Sequence, residues 1–346
     1  MMAASLEAHL RAYAGEDPLR NDVAETIWQL ARAALKLRTL VAEEPQQTPA
    51  AANRINGGGD EQQWLDIEAD RIFIEAARNC KIATLLSEEQ DNVLELSNTG
   101  TLALAIDPLD GSSNIDINAP IGTIFSLLPL AEQPGAGPQA SFLQTGRSQL
   151  AAGIFVFGQR CLFILTLGAG CNIFVYSQAF GGFVEQRHAV FIPEKTAEFA
   201  INASNYRHWD EELRLYIDDC LAGADGPREK DFNMRWLAAV AGDVLRILTR
   251  GGVYLYPGDQ RRGYKSGRLR LLYEANPIAM IVEQAGGAAT DGRVNLLDIQ
   301  PEAIHQHIPV VFGSVREVQR IARYLTDPSA IGERSPLFGR RSLFRA

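Results

Sequence analysis

Residues 107–113 read Asp-Pro-Leu-Asp-Gly-Ser-Ser and directly follow the apolar run 101–106. Two carboxylates three residues apart, on a turn at the end of a buried strand, are hard oxygen ligands of the kind divalent cations take. A glycine and two hydroxyl residues come next, with backbone N–H groups that a turn or helix start aims at phosphate oxygens. Seven residues thus offer both halves of a metal-assisted phosphatase site. Further acids stand where the chain leaves a strand or loop: Asp60, Asp66, Glu88, Glu89 and Glu274. A single acid is usually a solvated surface charge. The pairs Glu88-Glu89 and Asp107/Asp110 differ because each ends an apolar strand. Converging carboxylates raise one another's pKa, and burying them uncompensated is costly. A cation relieves that strain, and an all-oxygen ligand set favours magnesium or manganese.

These residues need elements to position them. Apolar spacing predicts helices over 23–42 and 64–79 and strands over 82–86, 101–106, 121–130, 151–157, 161–167 and 172–176. Residues 45–59 read as a mobile loop, and 133–149 as a loop rich in Gly, Pro, Ser and Gln. The second half reads as strand 199–202, helices 208–222 and 233–249, strand 253–256, helix 277–285, strand 310–312 and helix 315–325. Alternating helices and strands around an antiparallel-looking middle predict a layered α/β fold. The expected organisation is a metal-binding catalytic domain over 1–195, a sugar-phosphate-binding domain over 196–326, and an extended or disordered tail over 327–346.

Composition narrows the class. The 346 residues are 46% hydrophobic and 22% charged, as in a soluble globular protein with a full core, and the net charge is −9. That acidity argues against nucleic acid or an anionic membrane as partner, so an anionic substrate needs local positive charge or metal ions. The most apolar stretch, 154–176, is broken by Gly158, Gln159, Arg160, Gly168 and Gly170 and fails as a membrane span. No apolar signal segment follows Met1. Cys80, Cys161, Cys171 and Cys220 lack paired short spacing, so buried reduced thiols and a cytoplasmic location are expected. Five histidines leave little for a zinc site or a Ser-His-Asp triad, and His305 with His307 reads as a solvated loop pair.

Longer strings carry a resemblance. Asp-Pro-Leu-Asp-Gly-Ser-Ser-Asn-Ile-Asp at 107–116, followed by Ile-Gly-Thr-Ile-Phe at 121–125, resembles the signature of the class 1 fructose-1,6-bisphosphatases. So does Leu-Arg-Leu-Leu-Tyr-Glu-Ala-Asn-Pro at 269–277, with Glu-Gln-Ala-Gly-Gly at 283–287. The shorter Asp-Pro-Leu-Asp-Gly-Ser core is shared with the wider lithium-sensitive phosphatase superfamily, inositol monophosphatases included. Matching landmarks run from Ala24 to Tyr324.

The resemblance implies an αβαβα sugar-phosphatase fold and hydrolysis of the 1-phosphate of fructose 1,6-bisphosphate. It implies Glu88, Asp107, Asp110, Glu274 and the Leu109 carbonyl as metal ligands, Asp60 as a ligand of a further metal, and magnesium or manganese as cofactor. Asp66 and Glu89 match the pair that activates the attacking water. Asp110, Gly111, Ser112 and Ser113 match the 1-phosphate end of the substrate site. Asn202, Arg235 and Tyr256 match contacts to the 6-phosphate, with Arg235 reaching a neighbouring subunit of a homotetramer. Arg268 stands where well-known members have a lysine, and Trp236 where they have a tyrosine. In the basic run around them, Arg261 and Arg262 read as solvated loop residues. The distal changes keep sedoheptulose 1,7-bisphosphate open as a second substrate. An inositol or nucleotide monophosphatase is the alternative enzyme, and a non-catalytic sugar-phosphate-binding regulator the third reading.

Regulation departs from the family pattern. AMP-inhibited members carry lysine-tyrosine where this chain has Thr101-Leu102, and threonine-glycine-glutamate where it has Val23-Ala24-Glu25. The 133–149 loop has no cysteine. The expected outcomes are weak or absent AMP inhibition and equal activity with and without dithiothreitol. Inhibition by low-micromolar AMP in a steady-state assay would contradict the first.

Overall fold

The computed structural model describes residues 4–43, 54–55, 61–62, 64–131 and 137–326. Asp60, most of the 45–59 loop, part of the 133–149 loop and the tail 327–346 lie outside the described residues. The first half runs α1 (Leu6–Ala14), α2 (Pro18–Ala42), β1 (Arg54–Ile55), β2 (Glu61–Gln62), α3 (Trp64–Arg78), β3 (Ile82–Ser87), β4 (Leu94–Glu95), β5 (Leu102–Asp110), β6 (Ile121–Pro129), β7 (Ala151–Phe157), β8 (Cys161–Thr166), β9 (Cys171–Ser177) and β10 (Gly182–Arg187). The second half runs β11 (Glu198–Ala200), α4 (Glu211–Leu221), β12 (Asn233–Met234), α5 (Val240–Arg250), β13 (Val253–Tyr256), β14 (Leu269–Arg270), α6 (Asn276–Gln284), β15 (Ala288–Thr290), β16 (His307–Ile308), β17 (Val310–Gly313) and α7 (Val315–Thr326).

Two sheets separate three helical layers. The first sheet has the order β10-β9-β8-β7-β6-β5-β3-β4, antiparallel except for the parallel pair β3–β5. The second has the order β12-β11-β13-β17-β15. Helices α1 to α3 cover one face of the first sheet, and α5 and α6 lie between the sheets. Helices α4 and α7 cover the far side of the second sheet. The expected αβαβα layering is what the chain forms.

Strand β5 shows why. Its residues are buried on both faces, and strand side chains alternate. Leu102, Leu104 and Ile106 join the core under α1 to α3, while Ala103 and Ala105 join the core under α5 and α6. Large residues face the outer helices, and alanines let the middle helices approach closely. Gly122 on β6 serves the same approach: a Cβ there would meet the Ala241 Cβ at 2.3 Å and the Phe155 carbonyl oxygen at 2.9 Å.

Several expectations needed correction. Helix α1 and strand β10 went unforeseen; α1 is short, capped by Ser5, and β10 alternates only weakly in burial. The expected helix over 233–249 begins only at Val240. Asn233–Met234 instead pairs as a parallel edge strand with β11, and Ala238 takes a left-handed φ of 62° that no helix continues through. The Asp-Pro-Leu-Asp segment is not a turn after β5 but its continuation to Asp110.

The glycine at 122 yields a direct test. Gly122→Ala should destabilise the protein by about 1–3 kcal/mol, the usual cost of overpacking. Urea unfolding checks this, and an unchanged midpoint would contradict the packing.

Candidate active site

The two aspartates of β5 reach one face because the strand is bulged. Asp107 pairs with Ile124 but Asp110 pairs with Gly122, so three steps on β5 oppose two on β6. Residues three apart on a regular strand point to opposite faces; one extra residue restores the same face. The bulge satisfies its own polar groups. The Leu109 amide donates to Asp107 Oδ1 at 3.0 Å, and the Thr123 hydroxyl donates to the Pro108 carbonyl at 2.8 Å. Pro108 has no N–H to lose. Both carboxylates therefore face the middle helical layer.

That layer supplies the third acid. Glu274 sits in a single π-helical turn, Leu271–Ala275, that leads into α6, and its Oε2 accepts from the Arg270 amide at 2.6 Å. Asp107, Asp110 and Glu274 are buried, and one carboxylate oxygen of each lies within 4.8 Å of the others. Asp110 also accepts from the amides of Ala241 at 2.7 Å and Val240 at 3.3 Å, at the N-terminus of α5. A helix start left uncapped by its own flanking residue is thus capped by a strand far away in sequence.

The electrostatics follow from the crowding. Burial is the first cause that holds Asp107 well above the usual carboxylate range, and the charges of Glu88, Asp110, Glu274 and Glu89 add to it. Glu274 is raised likewise, by burial and then by Glu88. Asp110 is pushed up to about 6 by burial, against the pull of its two amide donors. Asp243, in the first turn of α5, is pushed up to about 7, mainly by burial, while the Leu237 amide lowers it and Asp110 raises it. A cluster that cannot hold all its charge unaided is a fitting cradle for a divalent cation, and every donor is oxygen.

The structure brings most of the expected residues together. Glu88 and Glu89 form the turn that ends β3, half-buried and close enough for their charges to act on Asp107. Asp66 is buried in the first turn of α3. Leu109 is buried within the bulge. Gly111 adopts a left-handed φ of 77°, and a Cβ there would meet Ala239 at 2.5 Å. Ser112–Asn114 then make a 3-10 turn whose first bond runs from the Asn114 amide to the Gly111 carbonyl. The amides of Gly111, Ser112 and Ser113 precede that bond. Asp60 lies outside the described residues.

A cavity of about 210 Å³ is lined by Asn202, Asn205, Tyr256, Asp259, Arg261, Tyr264 and Arg268. Arg268 lies over the Tyr264 ring at 4.7 Å. The Tyr256 hydroxyl is raised first by burial, lowered by Arg268, and raised by Glu274, so the cavity stands within electrostatic reach of the acids. Arg235 does not line this cavity. It is exposed just beyond edge strand β12. Trp236 stacks on Tyr254 at 5.3 Å and meets Tyr256 edge-on at 5.7 Å, so it buttresses the cavity wall.

Two features were missed in the sequence. Arg261 is a partly exposed loop residue, as expected, but it is also held in the cavity lining: its Nε donates to Asp259 Oδ1 at 3.0 Å and its Nη2 to Asn205 Oδ1 at 3.1 Å. His305 is not a solvated loop residue: it is half-buried, and its Nδ1 lies 3.0 Å from the Tyr273 hydroxyl, beside Glu274. Asp259 is a near neighbour of Arg261, but Asn205 lies 56 positions from Arg261 and Tyr273 lies 32 from His305, so no local pattern announced those contacts.

Comparison with known proteins gives the family. Residues 41–188 match the family model "Fructose-1-6-bisphosphatase, N-terminal domain", and residues 192–326 match "Fructose-1-6-bisphosphatase, C-terminal domain". The chain belongs to the class 1 fructose-1,6-bisphosphatase family. It is 54% identical to the class 1 fructose-1,6-bisphosphatase of Rhizobium meliloti, with both chains covered in full. It is 50% identical to that of Azorhizobium caulinodans, over 94% of this chain and 100% of the relative. The solved structure of Leishmania major fructose-1,6-bisphosphatase in holo form superposes with a TM-score of 0.86 at 27% identity, over 94% of this chain and 100% of the other. Among the described residues no helix is long and apolar enough to cross a membrane.

In this family member the raised carboxyls set a pH dependence. Asp107, Asp110 and Glu274 bind protons more tightly folded than unfolded. Their contribution to metal-free stability is present below the unfolded carboxylate range and is lost as pH rises through about 6 for Asp110. A cation replaces those protons. The rise in Tm on adding a divalent cation should be larger at about pH 8 than at about pH 5.5. Scanning calorimetry checks this, and an equal rise at both would contradict it.

Proposed function

We propose that this chain hydrolyses the 1-phosphate of fructose 1,6-bisphosphate, releasing fructose 6-phosphate and inorganic phosphate, with magnesium as the working cation and manganese as a substitute. The observation that carries the reading is the convergence of buried Asp107, Asp110 and Glu274 within 4.8 Å beside an arginine-lined cavity. Family membership and relatives named for this activity support it.

Asp107, Asp110, Glu274, Glu88 and the Leu109 carbonyl would hold the cations, with Asp60 a ligand of a further one. Bound there, cations supply positive charge that neutralises a phosphate and lowers the pKa of water. The chain's own residues do the rest. Asp66 and Glu89 take the proton of the attacking water. The amides of Gly111 and Ser112, with Ser113 beside them, orient the 1-phosphate. Asn202, Tyr256 and Arg268 hold the other phosphate and the sugar; a guanidinium suits phosphate through its planar fork. Arg261 already spends part of that fork on Asp259.

Arg235 serves the same cavity in a neighbouring subunit of a cytoplasmic homotetramer. What supports this is its exposure at an edge strand flanked by Met234, 44% exposed, and Leu237, 36% exposed. Weak AMP inhibition also has support. Val23, Ala24 and Glu25 lie inside α2, which begins at Pro18, so their amides are spent on the helix. The Thr101 hydroxyl donates to Asp22 at 2.7 Å, placing a carboxylate where a nucleotide phosphate would need a cation.

The test is phosphate release from fructose 1,6-bisphosphate with magnesium. Asp66→Asn should lower kcat by about 10²–10⁴, the usual worth of a general base. Substrate binding should persist. Equal turnover of sedoheptulose 1,7-bisphosphate would broaden the substrate class, and Arg235→Ala with unchanged kinetics would favour a monophosphatase.

A further inference from the structure

Asp70 has no part in the chemistry derived above, yet it is 3% exposed and sits one helical turn beyond Asp66 on α3. Both of its oxygens are engaged by one short segment. The Ser87 hydroxyl donates to Oδ1 at 2.6 Å, and the Gln90 amide nitrogen donates to Oδ2. Ser87 and Gln90 are the residues immediately before and after Glu88-Glu89. Ser87 Oγ also accepts from the Glu89 amide at 3.2 Å, and the Gln90 amide closes the turn onto the Ser87 carbonyl at 3.3 Å. One buried carboxylate therefore brackets the acidic turn on both sides.

The turn needs such a bracket. Glu88 acts on both Asp107 and Glu274 as a like charge, so repulsion drives the turn away from the acids it must join. We propose that Asp70 is a positioning residue that holds the Glu88-Glu89 turn against the α3 face carrying Asp66. This rests on the roles assigned above to those three acids. It predicts that the bracket's geometry, rather than the Asp70 charge, sets cation affinity. Asparagine at 70 keeps an acceptor for Ser87 and offers its NH₂ to Gln90, whose own amide can turn to accept it.

The experiment is titration with Mn²⁺ alone, by calorimetry and by the electron-spin signal of free Mn²⁺, on full-length wild type, Asp70→Ala and Asp70→Asn. Thermal unfolding without metal is run alongside. Asp70→Ala should weaken Mn²⁺ binding about 10–100-fold, the usual effect of losing a residue that orients a ligand. Its kcat should fall with little change in KM for fructose 1,6-bisphosphate, and Asp70→Asn should recover most of the affinity. A folded Asp70→Ala protein that loses Tm but binds Mn²⁺ as tightly as wild type overturns the inference, as does an Asn variant as impaired as Ala. If Asp70→Ala does not fold, Ser87→Ala, which removes one of the two bonds, must weaken Mn²⁺ binding; unchanged affinity overturns the inference. Wild type that takes up no Mn²⁺ overturns the metal-site reading itself, so the two failures are distinguishable.

Discussion

Mutual repulsion among buried carboxylates is the constraint on which this structure turns. Asp107, Asp110 and Glu274 share a space less than 5 Å across, with Glu88 and Glu89 adding charge from the side. Left alone, such a cluster would flood with water, protonate or push its elements apart. Each acid is instead anchored by backbone donors: the Leu109 amide for Asp107, the α5 amides for Asp110, the Arg270 amide for Glu274. These bonds hold the carboxylates in place but do not neutralise them. The scaffold is thus rigid where its electrostatics are least favourable, the condition a cation site requires for selectivity and strength.

The anchors come from three elements in two adjoining layers. The bulge in β5 belongs to the first sheet, the α5 N-terminus to the middle layer, and the π-turn to the segment that leads into α6. Close approach of α5 to the sheet depends on small residues: Ala241 lies over Gly122, and Ala239 over Gly111. A larger side chain at either glycine would lift the helix start away from Asp110. Packing and chemistry are therefore one requirement here, and the alanines and glycines around the site are as necessary to it as the acids.

The layered fold was legible because its cause is local. Alternation in 102–106 divides one strand between two cores, and the glycines at 251–252 stop a helix at Arg250. The acids were legible as types and as a family pattern. What brings them to one face was not. A bulge is a property of pairing between two strands, and nothing within 107–110 reveals that β6 will oppose it with one residue fewer. The capping of α5 by Asp110 joins residues about 130 positions apart. Helical-looking spacing over 233–249 hid an edge strand, because pairing with β11 and the left-handed Ala238 override local propensity. Arg261 and Asp70 were illegible for the same reason: each has a distant partner, Asn205 for Arg261 and Ser87 for Asp70, that only the fold supplies.

The two ends of the site explain how a substrate with two similar phosphates could be cut at one end only. Both phosphates of a sugar bisphosphate carry similar charge, so charge alone does not choose between them. The cavity lined by Arg268 and Arg261 offers guanidinium groups, one already fixed by Asp259, but no concentrated carboxylates to recruit a cation. The acidic end offers amides and a cation cradle whose clustered carboxylates outnumber the Arg270 guanidinium that acts on Glu274. On the proposed reading, a phosphate held by arginine keeps its ester bond, because the positive charge there is permanent and hydrogen-bonded rather than a strong Lewis acid. A phosphate at the other end meets charge concentrated enough to polarise its P–O bond, beside carboxylates that can take a proton. The choice of bond would then follow from which end can gather metal ions, and that is set by where the β5 bulge turns its second aspartate.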